Sequence, residues 1–252
     1  IPIFHKTYDG NIHDSRILRD MITSFSEYDI HNGLIVFDRG ITSAQNQKDI
    51  QGLRWKVLCG LPIRGNLKKH VETEVAKENI AKYENRVRLN KTIFYVMTQE
   101  YILDGIKGTL AICFNDRQCR DLKKSRYDEI AQAEMLLKSG KSIKPEAKEF
   151  FDKQGNLVRL RLKNAEKLDG YSCIFTTESL SKDVMVKMYF DKDIVEKAFQ
   201  GLKGVIRLQP IRHWLYNRVI AHVFICYLSY LLLTLLKIRL SPLGISPVEA
   251  LA

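Results

Sequence analysis

The apolar run at residues 33–37 constrains the fold of this chain more than any other stretch, because it contains no polar residue. A strand without polar alternation is typical of a sheet that is covered on both faces, as in α/β proteins. Helix patterns lie on both sides of the run, and another strand pattern follows at residues 55–59. We therefore predict a parallel or mixed sheet, whose strand ends are the usual place for ligands.

Asp38 follows this run directly and has two interpretations. An aspartate between a strand and a helix commonly serves as a turn or helix-capping residue. A carboxylate at the end of a buried strand can instead hold a divalent cation, because hard cations prefer oxygen ligands. The residue type alone leaves both open.

A second group of polar residues falls in residues 189–203. Wound as a helix at about 100° per residue, this stretch places four polar side chains within an arc of roughly 60°. They are Tyr189, Lys192, Glu196 and Lys203. Such a helix can aim a carboxylate, two ammonium groups and a phenol into a cleft. A charged stripe is equally typical of a solvated helix face with weak ion pairs.

The spacing of these four residues resembles the signature of the DDE transposases of bacterial and archaeal insertion sequences. In the cut-and-paste branch, that signature is tyrosine, two residues, arginine, three residues, glutamate, six residues and lysine. Lys192 stands where the family usually has arginine, so the charge is kept but the planar bidentate fork is lost. The strand ending at Asp38 is similar to the segment with the family's second acid. Asp169-Gly170-Tyr171 resembles its return to the sheet.

This resemblance implies an α/β fold, with a ribonuclease-H-like mixed sheet flanked by helices and interrupted by a mixed α+β insertion domain. Residues 1–60 would form the first part of the core and residues 61–168 the insertion domain. Residues 169–240 would complete the core with the glutamate-bearing helix and a buried C-terminal helix, and residues 241–252 would form a tail. The family's first acid lies on a strand upstream of the matching segment. We therefore expect a chain that lacks the first strands and is N-terminally incomplete.

By the same resemblance, Asp38 and Glu196 are the catalytic residues and the ligands of Mg²⁺ or Mn²⁺, with two ions about 3.5–4 Å apart. Tyr189, Lys192 and Lys203 would bind DNA phosphates. The implied function is metal-dependent DNA strand cleavage and transfer in transposition, and we expect this fragment to be inactive alone. The alternative is a nucleic-acid-binding remnant without chemistry, in which the carboxylates are structural.

The charge balance favours a polyanionic partner. The chain has 40 Lys and Arg against 29 Asp and Glu, a formal charge of +11 and a pI near 9.4. No acid occurs at positions 197–248, where seven Lys and Arg residues fall. A basic excess is equally typical of proteins that bind a membrane surface or ribosomal RNA. The resemblance implies double-stranded DNA as the partner, at element ends and target, with a homodimer in the synaptic complex. The five scattered cysteines lack a metal-binding spacing and indicate reduced thiols in a cytoplasmic protein.

Residues 219–236 contain no Lys, Arg, Asp or Glu in 18 positions. That length is at the lower edge of what a membrane-spanning helix needs. The run is interrupted by His222, Ser229 and Thr234, and no second apolar run accompanies it. We therefore predict a helix that is buried against the sheet and no contact with a membrane.

Overall fold

The computed structural model describes the chain except residues 3, 10, 13, 38–49, 51, 53, 193–199, 201–202, 205, 207, 245–249 and 251–252. Its contacts divide it into two compact units, one of Ile1–His31 with Phe190–Ala252 and one of Asn32–Tyr189. The strands are β1 (Leu34–Phe37), β2 (Lys56–Leu61), β3 (Arg86–Leu89), β4 (Thr92–Leu103), β5 (Ile106–Phe114) and β6 (Tyr171–Thr176). The helices with described bounds are α1 (Asp14–Phe25), α2 (Gly65–Lys77), α3 (Asp116–Lys138), α4 (Pro145–Lys148), α5 (Arg159–Glu166), α6 (Lys182–Phe190) and α7 (Tyr216–Leu240).

The unit of residues 32–189 is built on one six-stranded mixed sheet with the order β1-β2-β6-β5-β4-β3. β1 and β2 are parallel, and the other neighbouring pairs are antiparallel. The central strands β2, β5 and β6 hold the largest buried apolar side chains, among them Leu58, Leu110 and Phe175. Strands β2 and β6 are buried along most of their length and are thus covered on both faces. The apolar run before Asp38 instead forms the edge strand β1, in which Phe37 is buried and the other three residues are partly exposed. The predicted α/β class with a mixed sheet is confirmed.

Strand β6 is the link between the two sides of this sheet. It pairs with β2 through Leu58↔Thr176 to Leu61↔Cys173 and with β5 through Thr109↔Thr176 to Phe114↔Tyr171. Strands β3, β4 and β5 fall in the range that the sequence assigned to an insertion domain, yet they extend the same sheet. Their contribution to the sheet core explains why the strands of this range are apolar. The domain boundaries stay a prediction.

Residues 152–157 form a local turn rather than an extended hairpin. Only one bridge forms, between Phe151 and Leu157, and α5 begins two residues later. The Asp152 carboxylate accepts the backbone N–H groups of Gln154 and Asn156, which closes a local turn. The chain then turns helical because Leu162 and Ala165, three positions apart, pack on one small core. The buried members of that core are Ile130, Ala133, Ala147, Phe150 and Phe151.

A buried ion pair anchors α3 to the start of β6. Arg126 donates two hydrogen bonds of 2.6 Å to the two carboxylate oxygens of Asp169. The side chains are 16% and 6% exposed, so solvent screens the pair little. Because the Asp169 carboxylate accepts these hydrogen bonds, the pKa of the Arg126 guanidinium lies above its ordinary value. The two residues are 43 positions apart in the sequence, so the pair connects distant segments of the chain.

Gly170 completes the same junction by its backbone. Its φ is +77°, and a Cβ there would lie 2.6 Å from the Asn115 carbonyl oxygen and 2.7 Å from Cys119 Cβ. The Gly170 carbonyl accepts the Asn115 N–H at 2.9 Å, while the Asn115 side chain caps α3 by accepting the Gln118 N–H. A residue with a side chain would therefore push α3 away from β6.

In the other unit, residues 4–9 have no regular secondary structure. Their side chains contact helices instead. Lys6 and Tyr8 both hydrogen-bond to Asp20 on α1, at 2.5 and 2.7 Å, and these bonds lower the pKa of the Asp20 carboxyl. His5 stacks on Tyr227 of α7 with ring centroids 4.5 Å apart. The segment therefore packs through side chains on both helices rather than through a backbone ladder.

Helix α7 differs from the predicted buried helix. Cys226 is its buried residue, while apolar side chains such as Ile225 and Leu232 are 61% and 66% exposed. The apolar residues surround the helix, so burying one face leaves the others open. Among the described residues, Tyr216–Leu243 is the helical stretch that is long and apolar enough to cross a membrane, a test that a core helix can also pass.

We predict that Gly170→Ala destabilises the fold by more than Gly140→Ala. Both glycines have a positive φ, which costs an alanine about 1–2 kcal/mol. A Cβ at Gly140 meets no atom within 4 Å, so only Gly170 adds a steric clash. Urea unfolding of the two variants measures the difference. Equal losses would show that the close approach at Gly170 relaxes without cost.

We predict that removing one partner of the Arg126–Asp169 pair, by Arg126→Met or Asp169→Asn, costs about 3 kcal/mol of unfolding free energy. The double variant should lose less than the sum, because neither charge is then left alone. Arg120→Met is the matched control, since Arg120 pairs with Asp116 on the same helix at 70% and 56% exposure. That variant should lose under about 1 kcal/mol. Additive losses at Arg126 and Asp169 would contradict a coupled pair.

Candidate active site

The strand that precedes Asp38 forms as the sequence predicts. β1 ends at Phe37, which is 7% exposed and lies opposite Cys59 of the parallel strand β2. The buried position of Cys59 raises the pKa of its thiol to about 12, as expected for an apolar sheet interior. Asp38 follows this strand in the sequence and lies outside the described residues.

The helix that carries Tyr189 is shorter than predicted. α6 ends at Phe190, and Asp191 and Lys192 form a turn. Aspartate favours such a break, because its carboxylate competes for backbone N–H groups near a helix end. The stripe of four polar groups assumed an unbroken helix through residues 189–203, so that part of the prediction is wrong between Phe190 and Lys192.

Tyr189 belongs to the buried face of α6. It is 4% exposed and shares that face with Met185 and Val186, which are both fully buried. The spacing of three to four positions puts the three side chains on one side of the helix. The phenol is thus held in the unit of residues 32–189, of which Tyr189 is the last residue.

The two signature lysines lie in the unit of residues 1–31 and 190–252. Lys192 is half-buried, whereas Lys203 is helical and exposed. Glu196 stands between them in the sequence and, like Asp38, lies outside the described residues. The structure therefore gives the surroundings of three of the five predicted site residues.

Metal-ligating side chains do not cluster elsewhere in the described part of the chain, where no group of three His, Cys, Asp or Glu residues could hold an ion. The five cysteines are free, in agreement with the prediction of reduced thiols. Four of them are buried, and Cys119 is partly exposed.

Sequence reasoning missed several partners that only the tertiary structure brings together. Arg126 is one of many charged residues on α3, and its partner Asp169 is distant in the sequence, so no local pattern marks it. The three cations Arg54, Lys56 and Lys107 line one cavity, although they come from two strand starts and a turn. The sequence offered one weak indication of this basic cavity, which is that residues 54–58 contain two cations and no acid.

The sequence matches the family model described as a transposase DDE domain over residues 3–232 of its 252 residues. No curated protein and no solved structure matches the chain. The match confirms the resemblance to DDE transposases, and the six-stranded mixed sheet flanked by helices agrees with their ribonuclease-H-like fold. Proteins of this kind act in DNA transposition and recombination, bind DNA and normally use divalent metal ions. The chain belongs to the family of transposase DDE domains.

Proposed function

We propose that this chain supplies part of the site for metal-dependent cleavage and transfer of DNA strands in the transposition of an insertion sequence. The family match carries the proposal, because the matched residues 3–232 include both Asp38 and Glu196. The formal charge of +11 supports double-stranded DNA as the substrate, at element ends and at the target.

Asp38 and Glu196 are the proposed ligands of Mg²⁺ or Mn²⁺. Carboxylate oxygens suit these hard cations, and β1 ends at Phe37, the residue before Asp38 in the sequence, which supports this role. When bound, two such ions supply an activated water or 3′-hydroxyl and stabilise the leaving oxygen. The chain's own contribution is to hold the two carboxylates and to orient the scissile strand.

Lys203, Lys192 and Tyr189 are the proposed phosphate contacts. The exposure of Lys203 suits direct contact with a DNA backbone. Lys192 offers a point charge where arginine would offer a planar fork. Tyr189 is 4% exposed, and it is proposed as a phosphate contact because it occupies the tyrosine position of the signature.

We also propose that residues 61–168 act as the family's insertion domain and cover DNA near the active site. Strands β3, β4 and β5 of this range extend the central sheet, which gives such a cover a rigid base. We also propose that the chain acts in the cytoplasm as a homodimer, because a synaptic complex holds two element ends together.

A second candidate function is nucleic-acid binding without chemistry. The acid-free residues 197–248, with seven Lys and Arg, favour it because phosphate neutralisation by cations needs no metal. The two candidates differ in metal binding, which only the first requires.

We predict that the chain binds Mn²⁺, and that Asp38→Asn and Glu196→Gln each weaken binding by at least about tenfold, since each removes a charged ligand. Titration calorimetry or the electron paramagnetic resonance of free Mn²⁺ gives the affinities. Asp104→Asn is the control, because Asp104 is an exposed acid with φ +51°, a conformation that asparagine tolerates. Unchanged Mn²⁺ affinity in all variants, with DNA binding retained, would leave the second candidate.

We predict that Lys192→Arg strengthens binding of duplex DNA several-fold, because it restores the planar fork for a phosphate. The charge is unchanged, so the slope of log K against log salt should stay the same. Lys192→Gln should weaken binding and reduce the size of that slope by about 0.9. Fluorescence anisotropy across a salt series measures both quantities. A Lys192→Gln variant with the original slope would remove Lys192 from the phosphate contacts.

A further inference from the structure

A basic cavity opens in the unit of residues 32–189, at the end of the sheet where β1 and β2 begin. Its volume is about 470 Å³, and it is lined by Arg54, Trp55, Lys56, Lys107 and Thr177. Of the five described residues that line it, three are cations and none is acidic. The opposite end of β1, at Phe37, is the end that leads to Asp38.

The walls of this cavity are fixed by the sheet. Lys56 is the first residue of β2, and Lys107 is the second of β5. Thr177 follows β6 and is tied to Val57 twice, by its N–H to the Val57 carbonyl and by its hydroxyl oxygen to the Val57 N–H, each at 3.0 Å. Because that oxygen accepts, the hydroxyl can still donate to a ligand.

Trp55 gives the cavity a rigid floor. It is 8% exposed and packs so closely on Gly33 that a Cβ there would lie 2.6 Å from the indole Cζ3. The Gly33 carbonyl in turn accepts the Lys56 N–H at 2.8 Å. Backbone positions on both sides of the cavity are therefore set before any ligand arrives, which lowers the entropy cost of binding.

Arg54 holds a backbone conformation that costs free energy. Its φ is +64°, and the following Trp55 N–H bonds to the Ile50 carbonyl, as at a helix end where glycine is preferred. A side chain in this region costs about 1–2 kcal/mol relative to glycine. Residues in strained backbone conformations cluster at functional sites. A binding role for the Arg54 guanidinium would explain why this position holds arginine instead of glycine.

No carboxylate neutralises these cations among the residues that the structure describes. Arg54, Lys56 and Lys107 have no ion pair there, unlike Lys77 and Arg126, whose partners are Glu74 and Asp169. Glu100 and Glu178 line an adjoining cleft that shares Lys107 and Thr177 with the cavity. The Glu178 carboxylate accepts the Ser179 N–H at 3.0 Å, so it is held at its own backbone.

We propose that this cavity binds a backbone phosphate of duplex DNA, as a contact separate from Lys192 and Lys203. The inference rests on DNA as the partner in the proposed function. Arginine, lysine and threonine are the side chains that contact DNA phosphates, and such contacts fix the register of a duplex without reading its sequence. Lys56 lies opposite Leu34, three residues before Phe37, which is about 10 Å along the strand. That distance is roughly three base-pair steps, so one duplex can pass both ends of β1.

The test is binding of a 20-base-pair duplex to the full chain in EDTA, so that strand cleavage cannot occur, measured by anisotropy across a salt series. The double variant Lys56→Gln/Lys107→Gln should bind several-fold more weakly, and the size of its salt slope should fall by about 0.9, as expected for one lost phosphate. Lys141→Gln and Lys153→Gln are the controls, because both are exposed lysines without a place in the cavity. They should leave affinity and slope unchanged.

Arg54→Gly separates ligand binding from stability. Glycine relieves the positive φ, so this variant should unfold at a higher temperature while it binds the duplex more weakly. Weaker binding cannot then be attributed to a damaged fold. Unchanged affinity in Arg54→Gly and in the double lysine variant would overturn the proposal. An equal loss in the control lysines, or a loss for a single-stranded RNA of the same length but not for the duplex, would also overturn it.

Mn²⁺ affinity of the same variants keeps the two proposals distinguishable. Intact Mn²⁺ binding by Asp38 and Glu196, with no effect of the cavity variants on the duplex, removes only the phosphate site. A cavity effect on DNA without metal binding removes only the catalytic proposal.

Discussion

The pairing of β6 with both β2 and β5 is the interaction on which the rest of the sheet depends. β2 and β5 come from segments about 50 residues apart, and without a strand between them the sheet would split into two small pieces. Both ends of β6 are fixed by specific contacts, the Arg126–Asp169 pair with Gly170 at its start and the Thr177–Val57 bonds at its end. Since β6 is buried along residues 172–176, a slip of one position would exchange the side chains that pack on its two covered faces.

This fixed sheet separates two kinds of chemistry at its two ends. At the end where β1 finishes, the sequence continues into Asp38, the acid that we propose as a metal ligand. At the other end, the starts of β2 and β5 present lysines, and Arg54 lies beside them in a strained conformation. The proposed phosphate contact and the proposed metal ligand are therefore assigned to opposite ends of the same sheet.

The second unit follows a different logic. Residues 4–9 are held to α1 and α7 by side chains, through the hydrogen bonds of Lys6 and Tyr8 to Asp20 and the stacking of His5 on Tyr227. The α7 helix presents apolar side chains around its whole circumference, and Arg218, Lys237 and Arg239 lie near its two ends. These cations fall in the stretch of residues 197–248, which contains no Asp or Glu in the sequence.

The sequence alone determined the elements whose patterns are local and strong. The apolar run before Asp38, the helix of residues 116–138 and the hydroxyl-ended strand at residues 171–176 each follow from periodicity and composition. The family also followed from the sequence, because the spacing of Tyr189, Lys192, Glu196 and Lys203 is a property of the chain order. Only the tertiary structure decided the strand order, the ending of α6 at Phe190, the exposure of α7 and the pairing of Arg126 with Asp169. Those features depend on which distant side chains share a low-dielectric interior, and neighbouring residues carry no record of partners that lie tens of positions away.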